Sequence, residues 1–344
     1  MDSGAFCRNG LITRSSLLAS ARFASLVDES VVHRNRLFGG VVLAALMLVG
    51  FTSVASAQAP LPVPNAFLAG VPQELGNPGG SAPGSNDFSC KPTAEHPNPV
   101  VLVHGTGGNR QTNWATYAPL LANEGYCVFA LTYGNFPEQP WPLSAIGGMQ
   151  EIPSSAAQLS NFVDQVLDAT GATSVDLIGH SQGTIINGYY AKFLGGADKV
   201  DNIVSVASLW KGTLGNEQAS VGRSLRELGV SEAAQAGFPI CKACLNMGAG
   251  SEFIENLRAG GVYAPGVHYT NITTRYDELV LPYTNGLEPG PNATNIVVQD
   301  GCEQDISDHL AIAASLRAAT FALNALDPAH QRPVPCNSVL PVVG

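Results

Sequence analysis

The chain has 344 residues, of which 45% are hydrophobic and only 13% charged, with a formal net charge of −10. An apolar chain this poor in charge can bury a large core, which excludes a wholly disordered protein. The acidic balance argues against a nucleic-acid partner, whose phosphates need a basic footprint.

The first element is an apolar run at 37–54, preceded by Arg34 and Arg36 and followed by Ala55-Ser56-Ala57. Basic flank, apolar stretch and small-residue site are the parts of an export signal peptide, so 1–57 is expected to be removed. A transmembrane anchor competes, because the run approaches bilayer-spanning length. The two glycines in the run and its small-residue end favour cleavage. Residues 1–57 hold five of the 17 basic and three of the 27 acidic residues, so the remainder carries 12 and 24 and a net charge of −12. An exported location follows, and an even count of six cysteines (Cys90, Cys127, Cys241, Cys244, Cys302 and Cys336) then reads as disulfides with fifteen possible pairings. Cys241-Lys-Ala-Cys244 could instead be a metal or redox pair, but a four-ligand zinc site needs a second pair nearby.

Residues 58–89 are rich in Pro, Gly, Ser and Asn and read as an extended, loosely packed lead-in. The main folded domain is expected over 90–344. Val100–Val103 is a short apolar run and predicts a buried strand. A helix over 112–123 and a strand over 127–133 follow. Pro153 opens a helix whose apolar stripe is Leu159, Phe162, Val163, Val166 and Leu167. Strands are predicted over 174–179, 203–209, 269–274 and 295–299, with helices over 182–194 and 308–326. Strands alternating with helices predict an α/β fold, a mostly parallel sheet covered on both faces. Two stretches break the rhythm: 135–152, and a Gly-rich insertion over 210–262.

Gly179-His180-Ser181-Gln182-Gly183 matches G-x-S-x-G between a predicted strand and a predicted helix. A chance pentapeptide would not need that context. A sharp strand-to-helix turn lifts the serine hydroxyl above the sheet at the positive end of the helix. A serine needs an imidazole to take its proton and a carboxylate to orient that imidazole. In this kind of sheet the chain order is Ser, acid, His. Of the later histidines, His268 opens a strand and His330 lies in a Pro-rich tail. His309 lies just after the last strand, where ligand chemistry gathers, and is the predicted base. Asp277 ends a strand and is the predicted acid. Asp300, Asp305 and Asp308 are rivals, with a helix-capping role open to Asp308. Backbone N–H donors must hold the oxyanion. Gln182, after the nucleophile, supplies one, and Thr106 in the His104-Gly105-Thr106-Gly107-Gly108 loop the other. A phosphate loop is the competing reading, but the completing Lys-Ser/Thr is absent.

These residues resemble the α/β-hydrolase superfamily and, more closely, secreted class 2 lipases of actinobacterial type. The matching stretches are PVVLVHGTGGN (99–109), NWATYAPLLANEGYCVFALTYG (113–134), SVDLIGHSQGT (174–184), YYAKFLGG (189–196), TTRYDELVLPY (273–283) and DHLAI (308–312). The resemblance implies Ser181 as nucleophile, Asp277 as acid, His309 as base, and an oxyanion hole at Thr106 and Gln182. It also implies disulfides Cys90–Cys127, Cys241–Cys244 and Cys302–Cys336. Thr184 departs from the family, many of whose members have Gly there. Trp141, Leu143, Ile146 and Met149 are expected acyl contacts or a lid, with plain loop packing as the alternative. Two sequons, at Asn271 and Asn292, are read as chance. The expected protein is a secreted monomeric lipase acting on lipid or fatty-acyl esters, in transient contact with a lipid interface. No metal or redox cofactor is implied. An acyltransferase or envelope lipid esterase on the same triad, and a silent binding module on the same fold, are the other readings.

Overall fold

The Val-rich run Val100–Val103 forms strand β1, buried at all four positions. The structure is a computed structural model and describes residues 59–214 and 241–342. The predicted signal peptide (1–57) and residues 215–240 of the predicted insertion lie outside the described residues.

Five further strands complete one parallel sheet: β2 (Val128–Leu131), β3 (Val175–His180), β4 (Val200–Val206), β5 (His268–Thr273) and β6 (Ala293–Val297). Their order is β2-β1-β3-β4-β5-β6. The chain leaves β1 for one side, then returns to β1's other side with β3. The loops after β1 and β3 therefore flank the point where the order reverses, the usual crevice of an open α/β sheet.

Successive strand residues point to opposite faces, and the core divides accordingly. Val101, Val103, Leu177 and Ile203 pack under one helical layer. It holds α3 (Ile152–Thr170), α4 (Gln182–Phe193), α5 (Lys242–Asn246) and α6 (Glu252–Arg258). Val100, Leu102, Ile178 and Val204 pack under α2 (Tyr117–Asn123) and α7 (Leu316–Leu326). Each fully buried Val or Leu stabilises the fold by about 1.5–3 kcal/mol. Helix α3 carries Pro153 in its first turn and stops at Gly171, whose φ of 78° suits a left-handed cap. Among the described residues, no helix is long and apolar enough to cross a membrane.

Residues 59–89 are not the loose lead-in expected. They form a helical turn at Phe67–Ala69 and helix α1 (Gly70–Gly76). Further on, Asn86 pairs with the free edge of β2. Its side chain accepts from Ala130 N–H at 2.8 Å and donates to Ala130 O at 2.9 Å, and its own N–H donates to Val128 O at 2.8 Å. Polar side chains here satisfy backbone groups of the sheet, which a composition-based reading does not see. The closing helix is also shorter than expected. Ser315 is extended (ψ 121°), accepts from Ala318 N–H and starts α7, leaving Ala311–Ala314 as a separate 3-10 turn.

Disulfides join Cys90 to Cys127, Cys241 to Cys244 and Cys302 to Cys336. Asn271 of the first sequon is fully buried; it accepts from Trp210 Nε1–H at 2.7 Å and donates to the Tyr263 hydroxyl at 2.7 Å.

Candidate active site

Ser181 sits between β3 and α4 with φ 53° and ψ −123°, a strained conformation for a residue with a side chain. Its neighbours make the turn possible. A Cβ on Gly179 would lie 2.7 Å from Gly183 C, and one on Gly183 would lie 2.0 Å from Val103 O. Thr184 fits inside this turn: its N–H (2.9 Å) and hydroxyl (2.7 Å) both donate to Ser181 O.

The structure brings Ser181, His309 and Asp277 together from three loops at the carboxyl end of the sheet. His309 Nε2 is 2.8 Å from Ser181 Oγ. On the other side of the ring, Nδ1 is 3.0 and 2.9 Å from the two Asp277 carboxylate oxygens. A carboxylate accepts only, so Nδ1 carries the proton and Nε2 is free to accept from the serine hydroxyl. Asp277 is itself held by the N–H groups of Leu279 (3.0 Å) and Val280 (2.7 Å). Burial disfavours a charged His309, but Asp277, Glu278 and Asp308 outweigh it and hold the imidazole above its ordinary value.

The rival carboxylates are engaged elsewhere. Asp300 pairs with Arg275 at the surface. Asp305 accepts from Ser307 N–H (3.0 Å) and Ser315 Oγ–H (3.1 Å). Asp308 accepts from Ala311 N–H and Val342 N–H, both at 2.8 Å. His268 is exposed at the start of β5, and His330 pairs with Asp327 in the tail.

Thr106 and Gln182 both border Gly148. A Cβ on Gly148 would lie 2.7 Å from Gln182 Oε1 and 3.1 Å from Thr106 Cα, and one on Gly105 would lie 3.1 Å from Ser181 Cβ. Segment 135–152 braces this loop from outside. Gly107 N–H donates to Gly147 O and Gly147 N–H to Gly108 O, both at 2.9 Å. His104 is buried, donates from Nδ1 to Gly105 O at 2.7 Å and accepts Tyr133 N–H at Nε2. Burial lowers its pKa to about 4, so it stays neutral and structural.

The four expected acyl contacts have different surroundings. Met149 belongs to the core, the half-buried Ile146 packs against that core, and Leu143 opens a 3-10 turn. Trp141 is 44% exposed and donates its indole N–H to Glu74 at 3.2 Å. It borders a polar cavity of about 350 Å³ with Asn109, Arg110, Thr132, Asn135 and Ser144, which contains none of the Ser181, Asp277 or His309 side chains.

Sequence reasoning missed several partners. Tyr133, just after β2, sets its hydroxyl against His104 O and 3.0 Å from Gln182 Oε1. Met247 Sδ lies 4.0 Å from Thr106 Oγ1 and 3.9 Å from Gln182 Nε2. Asn113, His180 and Glu278 also belong to the surroundings of the site. Only adjacency to a motif residue, for His180 and Glu278, could have drawn attention to them.

This sheet order, with a strained serine between β3 and α4, defines an α/β-hydrolase. Residues 97–317 match the family described as Lipase (class 2), and the chain belongs to that family. It is 38% identical over 98 residues to triacylglycerol lipases of Pseudarthrobacter phenanthrenivorans and Burkholderia plantarii. Each match covers 27% of this chain, and 28% and 25% of those relatives respectively. The chain thus spans about a quarter of the length of the curated relatives it matches. The crystal structure of Aspergillus fumigatus lipase B superimposes with a TM-score of 0.55 at 18% identity, covering 74% of this chain and 57% of that one. That likeness concerns the fold.

Proposed function

We propose that this chain is an exported serine carboxylic-ester hydrolase, a lipase acting on acylglycerols or other fatty-acyl esters. The observation that carries the reading is the Ser181–His309–Asp277 relay, with 2.8 Å between Ser181 Oγ and His309 Nε2. Ser181 attacks the ester carbonyl while His309 takes its proton, and Asp277 stabilises the imidazolium that forms. The oxyanion accepts from the Thr106 and Gln182 amides. His309 returns the proton to the departing alcohol. Water, activated by the same imidazole, then attacks the acyl-enzyme and releases the acid and free Ser181.

Lipid-like substrates are supported by apolar side chains left in solvent near the oxyanion loop. Leu214, Leu245 and Leu281 are 75%, 71% and 43% exposed. Leu214 N–H donates to Leu281 O, and the neighbouring Thr213 N–H donates to the carbonyl of Met247, which touches Thr106 and Gln182. Such a patch suits transient contact with a lipid surface. Export through residues 1–57 suits a protein with three disulfides, and we expect a monomer.

A p-nitrophenyl ester chain-length series, run beside emulsified triglyceride and fluorophosphonate labelling, tests the reading. Turnover of long-chain esters and labelling at Ser181 are expected. Absence of both from folded protein would overturn it.

A further inference from the structure

We propose that His180 and Glu278 are positioning residues that grip the main chain of His309 from its two sides. The inference rests on the reading of His309 as the base. The His309 N–H donates to Glu278 Oε2 at 3.1 Å. The His309 carbonyl oxygen lies 2.9 Å from His180 Nε2. Each gripping residue is the chain neighbour of another triad member: His180 precedes Ser181, and Glu278 follows Asp277. The nucleophile's strand and the acid's loop thus each hold the base twice, once through its ring and once through its backbone.

The base needs this. His309 stands in a turn before the short Ala311–Ala314 segment, with no regular helix to fix its peptide planes. A rotation of those planes swings the imidazole away from Ser181. Misplacement by about 1 Å can cost about 100-fold in rate.

The tautomer of His180 follows from its neighbours. Asn113 Oδ1 accepts from Gly105 N–H at 3.1 Å, which fixes the orientation of that amide. The same Oδ1 lies 3.1 Å from His180 Nδ1, so the ring stands between two acceptors. Burial, with His309 nearby, lowers its pKa to about 3, so it has one proton to share. The shorter contact, to His309 O, takes it as Nε2–H. A ring that stays neutral does not compete when His309 becomes charged. The Glu278 carboxylate is half-buried and accepts rather than donates.

Glutamine keeps the needed group at both positions, since its amide can donate where Nε2 stood and accept where the carboxylate stood. Kinetics are measured on p-nitrophenyl butyrate at the pH plateau of each variant, with melting temperatures and Ser181→Ala alongside. His180→Phe and Glu278→Ala are expected to lose about 10- to 100-fold in kcat with KM within about threefold. His180→Gln and Glu278→Gln are expected to retain kcat within about threefold of wild type. Nitrogen-15 spectra of histidine-labelled wild type are expected to show His180 as the neutral Nε2–H tautomer. Wild-type kcat in His180→Phe, a fall in His180→Gln as deep as in His180→Phe, or an Nδ1–H tautomer would each overturn the proposal. Turnover that survives Ser181→Ala would sink the triad reading instead, and the tautomer would still decide the His180 contact.

Discussion

Val103 O and Gly183 are in such close approach that a Cβ on Gly183 would stand 2.0 Å from the oxygen. The last carbonyl of β1 thus packs directly on the first turn of α4. This contact sets how near the nucleophile comes to the oxyanion loop. Gly183→Ala is therefore expected to destabilise by about 3 kcal/mol or more, because backbone has to move. Gly76 is a contrast, since a Cβ there would have nothing within 4 Å. Gly76→Ala at the end of α1 should be neutral or stabilising by up to about 1 kcal/mol. Thermal melts of both variants check the pair.

Asp277→Asn should leave the fold intact and reduce kcat by about 10⁴-fold. An amide can donate to Nδ1, which would favour the tautomer carrying its proton on Nε2, facing Ser181. Asp300→Asn should be close to wild type, because Asp300 faces Arg275 and solvent. Equal losses in the two variants would contradict the assignment of the acid.

The pH profile follows from the base. Hydrolysis needs a neutral His309, and its pKa is raised because Asp277, Glu278 and Asp308 outweigh burial. A raised pKa keeps the ring protonated to higher pH. The acid limb of kcat/KM should therefore fall off through a midpoint above 6.5, the ordinary value. Glu278→Gln removes one of the charges that raise it and should move the limb to lower pH. A wild-type midpoint below 6.5 would contradict this.

Asp176, buried on β3 at the end of the strand far from Ser181, carries a stability prediction. Burial raises its carboxyl to about 7 against bonds from Asn202 and Asn98 that favour the charged form. Between the unfolded value of 3.8 and about 7 the folded state binds the extra proton. Stability from this group is therefore lost as pH rises through that window, at up to about 1.4 kcal/mol per pH unit. The stability of Asp176→Asn relative to wild type should climb from pH 4 to 7 and then level off. Urea denaturation at several pH values measures it, and a flat difference would refute it.

Much of the fold was legible because local patterning marks buried strands. Val100–Val103 and the stripe from Leu159 to Val166 belong to one sheet and one helix whatever surrounds them. Other features depended on distant partners. Asn86 and Glu74 look like loop polarity in sequence, yet Asn86 pairs with β2. Glu74 accepts from Asn109, Gly79 and Trp141. Trp141 likewise reads as an apolar contact in sequence, but it is exposed and its indole N–H donates to Glu74.

The sequence by itself determined the strand–Ser–helix turn and the chain order of serine, acid and histidine. Both are local: glycines permit the turn, and apolar runs place each candidate at a strand end. The tertiary structure alone decided which carboxylate meets His309. Asp277 and Asp300 both follow strands, but only Asp277 is buried against the ring, while Asp300 is drawn outward by Arg275. It also decided that His309 stands on a turn held by His180 and Glu278. Those contacts span 129 and 31 residues, and side chains that far apart in the chain carry no mark of each other in the pattern of either segment.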